Sequence, residues 1–349
     1  MNSSLLIMLV PVTVLGIVTF LPLWRLEAWW IRILDFPRLQ LFFLAFAVFA
    51  LQLMLLQTDS YASWGLLIFS LICVLYQSWW ILPYSPLYKK EVAFSDQGAG
   101  DEALSLMIAN VLTPNRNAKD LIAMLHEHKP DLLVTLESDD WWQQQLAVIE
   151  DDYTYSVKCP LDNLYGMHLY SKLPLSEISV EFLVEKDVPS IHVLIEMSSG
   201  RQVQAHFLHP APPGPTENEE SSERDAELVM VARRVQNSQL PVIVSGDLND
   251  VAWSETTRLF RKVSGLLDPR VGRGMFNSFH AQYWFARWPL DHLFHSQDFN
   301  LKGMQRLSAF GSDHFPILTR LVLKPTAQED QDGLEKNAED KAWADEKLS

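Results

Sequence analysis

Three stretches of the chain carry no charged side chain: "LLIMLVPVTVLGIVTFLPLW" (5–24), "LQLFFLAFAVFALQLMLLQ" (39–57) and "ASWGLLIFSLICVLYQSWWILP" (62–83). Each is close to the roughly 20 residues a helix needs to cross the hydrocarbon core of a bilayer. Three such runs in succession argue for membrane spans over buried core helices. The first lacks the basic start and small-residue cleavage site of a removable signal. Between spans one and two, "RLEAWWIRILDFPR" (25–38) mixes Trp, Arg and apolar residues. It reads as an interfacial segment with Trp29 and Trp30 at headgroup level. Residues 1–90 are therefore expected to form a membrane domain.

The pattern then changes. Residues 91–103, "EVAFSDQGAGDEA", read as a small-residue, acidic linker. Beyond them, short apolar strand-like runs alternate with a few helical ones. "SLMIAN", "DLLVTLE", "GMHLYS", "VPSIHVLIEM", "RQVQAHFL", "PVIVSGD", "PLDHLFHS" and "FPILTRLVL" read as strands. Asn117 is placed to cap a helix running to about His128. A second helix is expected over about 217–237, opened by Thr216 with Glu219 three residues on. Its apolar positions Ala226, Val229, Met230 and Ala232 follow helical spacing only in part. This alternation predicts a layered α/β or α+β domain. The last stretch, 326–349, is charged and poor in large apolar residues, and is expected to be a disordered tail.

Charge narrows the partners. The net charge over 349 residues is -15, and nearly all the acids lie beyond residue 90. Duplex binding is driven by Lys and Arg that displace counterions from phosphates, so a general duplex binder is disfavoured. Of the two cysteines, Cys73 lies in a span and Cys159 in the soluble part, which can close no internal disulfide. No Cys/His zinc spacing is present. Arg25, Arg32 and Arg38, with Lys89 and Lys90 after span three, place the first loop and the C-terminal domain in the cytoplasm by the positive-inside rule.

The strand ends carry the chemistry. In "PVIVSGDLND", a buried strand ends at Gly246, taken as a sharp turn, and Asp247 and Asn249 follow two apart. Alone, this reads first as a strand-to-helix turn with Asn249 as a helix cap. Five other strand ends also hold polar groups: Asn110, Glu137, His209, Asp291, and the pair Asp313 and His314. Acids at buried strand ends are unfavourable unless paired or metal-bound, so six such ends argue for one shared site. His126 and His128 are two apart on a helix, do not share a face, and read as helix-end residues. Before Asp291, Arg270, Arg273 and Arg287 alternate with aromatics including Trp288. Arg273, Arg287 and Trp288 are candidate substrate-binding residues on a lip; the competing reading is an aromatic loop over a sheet end.

In order along residues 104–325, "MIANVL", "LLVTLES", "GMHLYSKLPL", "GDLND", "LDHLF" and "SDHFPI" resemble the motifs of the endonuclease/exonuclease/phosphatase (deoxyribonuclease I-like) superfamily. The resemblance implies a four-layer sandwich, two packed mixed β-sheets flanked by helices. It implies that Glu137 holds a divalent metal, Mg²⁺ or Mn²⁺, with help from Asn110 and Asp313. Asp247 would orient or deprotonate the attacking water, and Asn249 would hold a phosphate oxygen. His314, oriented by Asp291, would stabilise or protonate the phosphoryl group, and His209 resembles a second His of some branches. Two positions depart from the family: the second Asn of the first motif is missing, and Leu136 stands where a Gln is usual.

The expectation is thus a membrane-anchored, metal-dependent phosphohydrolase of a phosphoester or pyrophosphate, with a lipid-linked substrate suggested by the tether. A tethered nuclease and a scaffold with a degenerate site are the alternatives. Bacterial membrane-anchored members with three N-terminal spans look similar. That likeness puts the domain outside the cytoplasmic membrane, against the charge count.

Overall fold

The computed structural model describes residues 3–57, 59–95, 102–324 and 331–348. Helices α1 (Ser3–Phe20), α3 (Arg38–Leu55) and α4 (Tyr61–Ile81) form the apolar N-terminal bundle, with the one-turn α2 (Trp29–Arg32) between the first two. Three segments, Ser4–Trp24, Arg38–Leu55 and Tyr61–Tyr84, are long and apolar enough to cross a membrane. They match the expected spans to within two residues at each end.

The rest is built from β1 (Glu102–Asn110), α5 (Ala118–His128), β2 (Leu132–Leu136), α6 (Asp140–Leu146), β3 (Tyr155–Cys159), β4 (Met167–Ser171), β5 (Leu175–Glu181), β6 (Ser190–Glu196) and β7 (Gln202–Leu208). It continues with α7 (Ser222–Val235), β8 (Val242–Asp247), α8 (Glu255–Ser264), β9 (Asp291–His295), β10 (Phe299–Arg306), β11 (Ile317–Leu323) and α9 (Ala338–Glu346). The strands make a six-stranded sheet, β10-β11-β1-β2-β4-β3, and a five-stranded sheet, β5-β6-β7-β8-β9. Both are mixed: β1–β2 and β7–β8 are parallel, their neighbours antiparallel.

Alternation along the strands sets the layers. Leu104, Leu106 and Ile108 of β1 meet Val203, Ala205 and Phe207 of β7 between the two sheets. The intervening Met107 and Ala109 face outward onto Leu121, Met124 and Leu125 of α5. On the other outer face, Leu228, Val231, Ala232 and Val235 of α7 pack with Leu259, Phe260 and Val263 of α8. Helix, sheet, sheet, helix is the expected four-layer order.

Local signals explain most helix limits. The Asn117 side chain accepts from Asp120 N and caps α5; Ser254 caps α8, and Gly265 at φ 74° ends it. Helix α7 differs from expectation. It starts at Ser222, not near 217, because residues 213–220 form a turn closed by a Pro213–Asn218 bridge, after which Glu220 bridges to Ala28. Its buried stripe adds Leu228, Val231 and Val235 to the expected Val229 and Ala232.

Two boundaries are corrected. Part of the expected linker belongs to the domain: Val92 is buried in the inter-sheet core, and Ser95 N donates to Leu301 O at 3.0 Å, beside β10. Residues 96–101 of that linker lie outside the described residues, as do 326–330 of the expected disordered tail. The described remainder of the tail is ordered and holds α9. Ala344 packs on the α7–α8 layer, and the Lys347 ammonium sits between Glu27 and Asp225. Arg25 bonds Glu255 and Glu339. Charge pairing, more than apolar area, docks this acidic segment, which is why composition misread it.

The candidate active site

Strand direction gathers the polar ends onto one rim. β1 and β8 leave the rim-ward edge at their C-termini, whereas β9 and β11, antiparallel to them, enter there. Asp247 and Asp291 are direct partners across β8 and β9. Gly246 is required within this strand rather than for a turn. At φ 149° an added Cβ would lie 1.9 Å from Leu208 O, so only glycine lets β8 close on β7.

Asn110 joins the sheets: its Nδ2 donates to Glu137 Oε1 at 2.7 Å and to Asp247 Oδ2 at 3.3 Å. Glu137 follows β2 at φ 56°, and Asn249 follows β8 at φ 50°. Asn tolerates this left-handed region, but for Glu it is disfavoured by roughly 1 kcal/mol, and such strain collects at functional positions. The Glu137 backbone is held by Thr113 Oγ1, which donates to its carbonyl at 2.7 Å.

His314 and Asp291 form a buried dyad, Nδ1 to Oδ2 at 2.7 Å. The other ring nitrogen, Nε2, lies 3.4 Å from Asp247 Oδ2. Burial opposes charge on this ring, but Asp291 and then Asp247 outweigh it, and its pKa is pushed up to about 10. His314 is therefore an imidazolium at neutral pH. His209 behaves oppositely: burial pulls its pKa down, against the pull of Asp247 3.9 Å from Nε2, so it is neutral. Asp247 Oδ1 accepts from Asn249 N at 2.9 Å, and Asn249 Nδ2 donates to Pro210 O at 3.0 Å. Asn249 does not cap α8; one of its amide hydrogens is committed and the other is left for a ligand. Asp313 lines the same cavity, beside Ser312, whose hydroxyl ties to Asn110 O at 2.8 Å.

The donor set suits a hard divalent cation. Glu137 Oε2 is buried without a partner among the described residues. Burial above all pushes this carboxyl up to about 7, with Asp313 and Asp247 adding to it and the Asn110 hydrogen bond and His314 opposing. A cation relieves both the orphaned oxygen and the like-charge crowding, and oxygen donors match Mg²⁺ or Mn²⁺. Asp247, Asp291 and His314 also bring ligand atoms within 4.8 Å of one another. That trio takes an ion only if the His314 imidazolium gives up its proton, an exchange the free Glu137 oxygen does not require.

A cavity of about 630 Å³ opens onto Glu137, Asp247, Asn249, Asp313 and His314. Its floor is charged and polar; its walls are largely apolar. Phe279, Trp288 and Leu290 form one side, the Pro212–Pro215 loop another, and residues from Trp29 to Pro37 a third. That third wall is the segment between the first two apolar helices. It is fixed to the domain by Trp29 N to Glu219 O at 3.0 Å and by Trp253 Nε1 to Asp35 O at 2.8 Å.

A profile of the Endonuclease/Exonuclease/phosphatase family matches residues 107–314. The chain belongs to this family. No curated protein sequence matches it. Solved structures share the fold. An endonuclease/exonuclease/phosphatase from Beutenbergia cavernae is 17% identical with TM-score 0.53, covering 64% of this chain and 72% of its own. A D. rerio TDP2 complexed with a single-strand DNA product is 15% identical with TM-score 0.54, covering 63% of this chain and 98% of its own. The human Nocturnin catalytic domain with bound sulfate is 16% identical with TM-score 0.52, covering 64% and 94%. The family is one of phosphoester hydrolases, and this member joins its fold to three helices of membrane-spanning length.

Of the sequence candidates, Asn110, Glu137, His209, Asp247, Asn249, Asp291, Asp313 and His314 come together at this rim, and Trp288 lines the cavity. Arg273 and Arg287 do not line it. Arg273 donates to the carbonyls of Pro269 at 3.1 Å and Val92 at 2.5 Å, and so ties the segment after residue 90 to the domain. Arg287 lies over the Phe315 ring at 5.0 Å and donates to Ala281 O. The guanidinium that does line the cavity is Arg32, which was read only as an interfacial charge. It is buried, with Nε on Leu26 O at 2.7 Å and Nη1 3.6 Å from Asp35.

Proposed function

We propose that this family member is a membrane-anchored, divalent-metal-dependent hydrolase of a phosphoester borne on a lipid. The observation that carries the reading is the composite cavity. Its charged floor is suited to a phosphate, and its apolar walls include the segment that links two helices of membrane-spanning length. A phosphate on a hydrocarbon tail fits both parts, and tethering concentrates the enzyme where such a substrate resides.

In this reading Glu137 holds Mg²⁺ or Mn²⁺, with Asn110 and Asp313 beside it. The ion, when bound, offsets the charge of the phosphate. Asp247 orients the attacking water or takes its proton, and the free Asn249 amide hydrogen fixes a phosphate oxygen. The His314 imidazolium, held by Asp291, faces the charge that builds on the phosphoryl oxygens, and Arg32 adds a second cation from the opposite wall. We place the domain on the extracytoplasmic face of a bacterial inner membrane; a reporter fused within the soluble part reads that side.

The test is the full chain in detergent against lipid phosphates, nucleotides and plasmid DNA, with Mg²⁺ or Mn²⁺ and with chelator. Metal-dependent release of phosphate or headgroup from a lipid, lost in Asp247→Asn, is the expected result. Nicking of plasmid faster than turnover of any lipid would overturn the lipid reading in favour of a nuclease.

A further inference from the structure

A second cavity, about 330 Å³, lies where the third apolar helix ends against the domain, apart from the catalytic residues. The chain there is fixed. Gly272 N donates to Pro83 O at 2.8 Å, and at φ 74° an added Cβ on Gly272 would come within 2.6 Å of Lys90 Cα. On its polar side, Arg261 is consumed by Glu91, with Nη2 at 2.6 and 2.5 Å from the two carboxylate oxygens. Lys89 pairs with Asp332 at the exposed rim.

Two cations remain. The half-buried Arg258 guanidinium stands 5.2 Å from the Trp80 ring centroid, and no hydrogen bond or ion pair to it is found among the described residues. Lys90 is exposed and likewise without an ion pair among the described residues. Burial disfavours the Arg258 charge more than Tyr84, Tyr88 and Glu255, itself paired with Arg25, support it, which leaves a cation in a cavity with no ion pair of its own, a costly arrangement unless a ligand completes it. The apolar rim consists of Trp79, Leu82 and Tyr88, all well exposed. Aromatic and aliphatic groups at the end of a span belong at headgroup depth.

We infer that this cavity binds the phosphate of an anionic glycerophospholipid, with Arg258 and Lys90 on the phosphate and the acyl chains lying along α4 beyond Trp79 and Leu82. Guanidinium and ammonium donors suit a phosphate, and basic recesses beside membrane helices suit anionic headgroups. The bound lipid would hold the domain at one height and tilt over the bilayer. The inference is independent of the catalytic reading and rests on α4 lying in a membrane, which resistance of the full chain to carbonate extraction checks separately.

The experiment is native mass spectrometry of the full chain in detergent, titrated with phosphatidylglycerol or phosphatidylcholine, with and without millimolar inorganic phosphate. The wild type is expected to hold one phosphatidylglycerol in preference to phosphatidylcholine, undisturbed by inorganic phosphate. Arg258→Gln with Lys90→Gln should weaken that adduct roughly tenfold or more, while metal-dependent hydrolysis of a chromogenic phosphodiester stays unchanged. If Arg258→Gln lowers the melting temperature, Lys90→Glu at its exposed position carries the same test alone. Equal retention of both lipids, displacement by inorganic phosphate, or an unaltered adduct in the folded variants would each overturn the inference.

Discussion

Replacing Asp291 by Asn keeps the shape of the dyad and removes its charge. In the folded protein the His314 pKa stands at about 10 against an ordinary 6.5. That gap corresponds to about 5 kcal/mol in favour of the imidazolium, at 1.36 kcal/mol per unit. Burial works against the charge, and Asp291 is the strongest group working for it, both by attraction and by its hydrogen bond. If Asp291 supplies nearly all of the net effect, the variant ring returns to about its ordinary 6.5, and at pH 8 only about one ring in thirty stays charged. The sign follows: a raised pKa keeps the ring charged until the pH climbs past it, and the Asp291→Asn change brings that point down toward neutrality. We therefore expect kcat on a chromogenic phosphodiester, with Mn²⁺ saturating, to fall roughly thirtyfold at pH 8. The loss should be smaller at pH 6, where the ring recharges, and KM should move little. Titration of the His314 ring by NMR reports the same shift directly. Activity within threefold of wild type at both pH values, in a variant with an unchanged melting temperature, would refute the role given to the dyad.

Three further outcomes are expected. Glu137→Gln should weaken Mn²⁺ binding tenfold or more, read by electron paramagnetic resonance; unchanged affinity would move the metal elsewhere. Burial first, and Glu185 second, push the Glu227 carboxyl from 4.5 up to about 8, so the folded chain keeps a proton that the unfolded chain releases. Its contribution is full below about pH 4 and is lost as pH rises through 8, and Glu227→Gln should raise the melting temperature at pH 9 while leaving it near wild type at pH 4. Lys347→Met removes a buried cation from between Glu27 and Asp225; since Asp225 keeps Arg224, the loss should be about 1–3 kcal/mol, short of the full cost of an orphaned ion, measured by thermal unfolding in detergent.

Much of the site was legible because its signals are local. "GDLND" and "SDHFPI" each couple a buried strand to polar groups at its mouth, and the strand order then places Asp247, Asp291 and His314 on one rim. The bundle was legible for the same reason: charge-free runs of fixed length mean one thing. What was hidden depends on where a segment docks. Arg32 sits far from Asp247 in sequence, and nothing near it says that its segment folds over the catalytic rim. Arg273 and Arg287 were misplaced because an Arg between aromatics reads alike as a phosphate grip or as a brace on backbone carbonyls. The tail misled because α9 is held by Lys347, Asp340 and Glu339, the very charges that lower its mean hydropathy. Gly246 was seen as special, but its close approach to Leu208 O needs the neighbouring strand to be in view.

The segment from Trp29 to Pro37 has a consequence for how such an enzyme changes over time. Apart from Arg32, the groups expected to break the phosphoester lie between residues 110 and 314, whereas one wall of the container that receives it is encoded before residue 40. On the proposed reading, a soluble fragment beginning after residue 90 would keep most of the catalytic groups and lose one wall of the cavity, and with it discrimination between lipid-borne and small phosphoesters. Conversely, substitutions at Ile33 or Phe36 can retune which substrate is admitted while every group at the reacting phosphorus stays as it is. On the proposed reading, reaction and choice of substrate are written in largely separate stretches of the chain, so that each can change with little effect on the other.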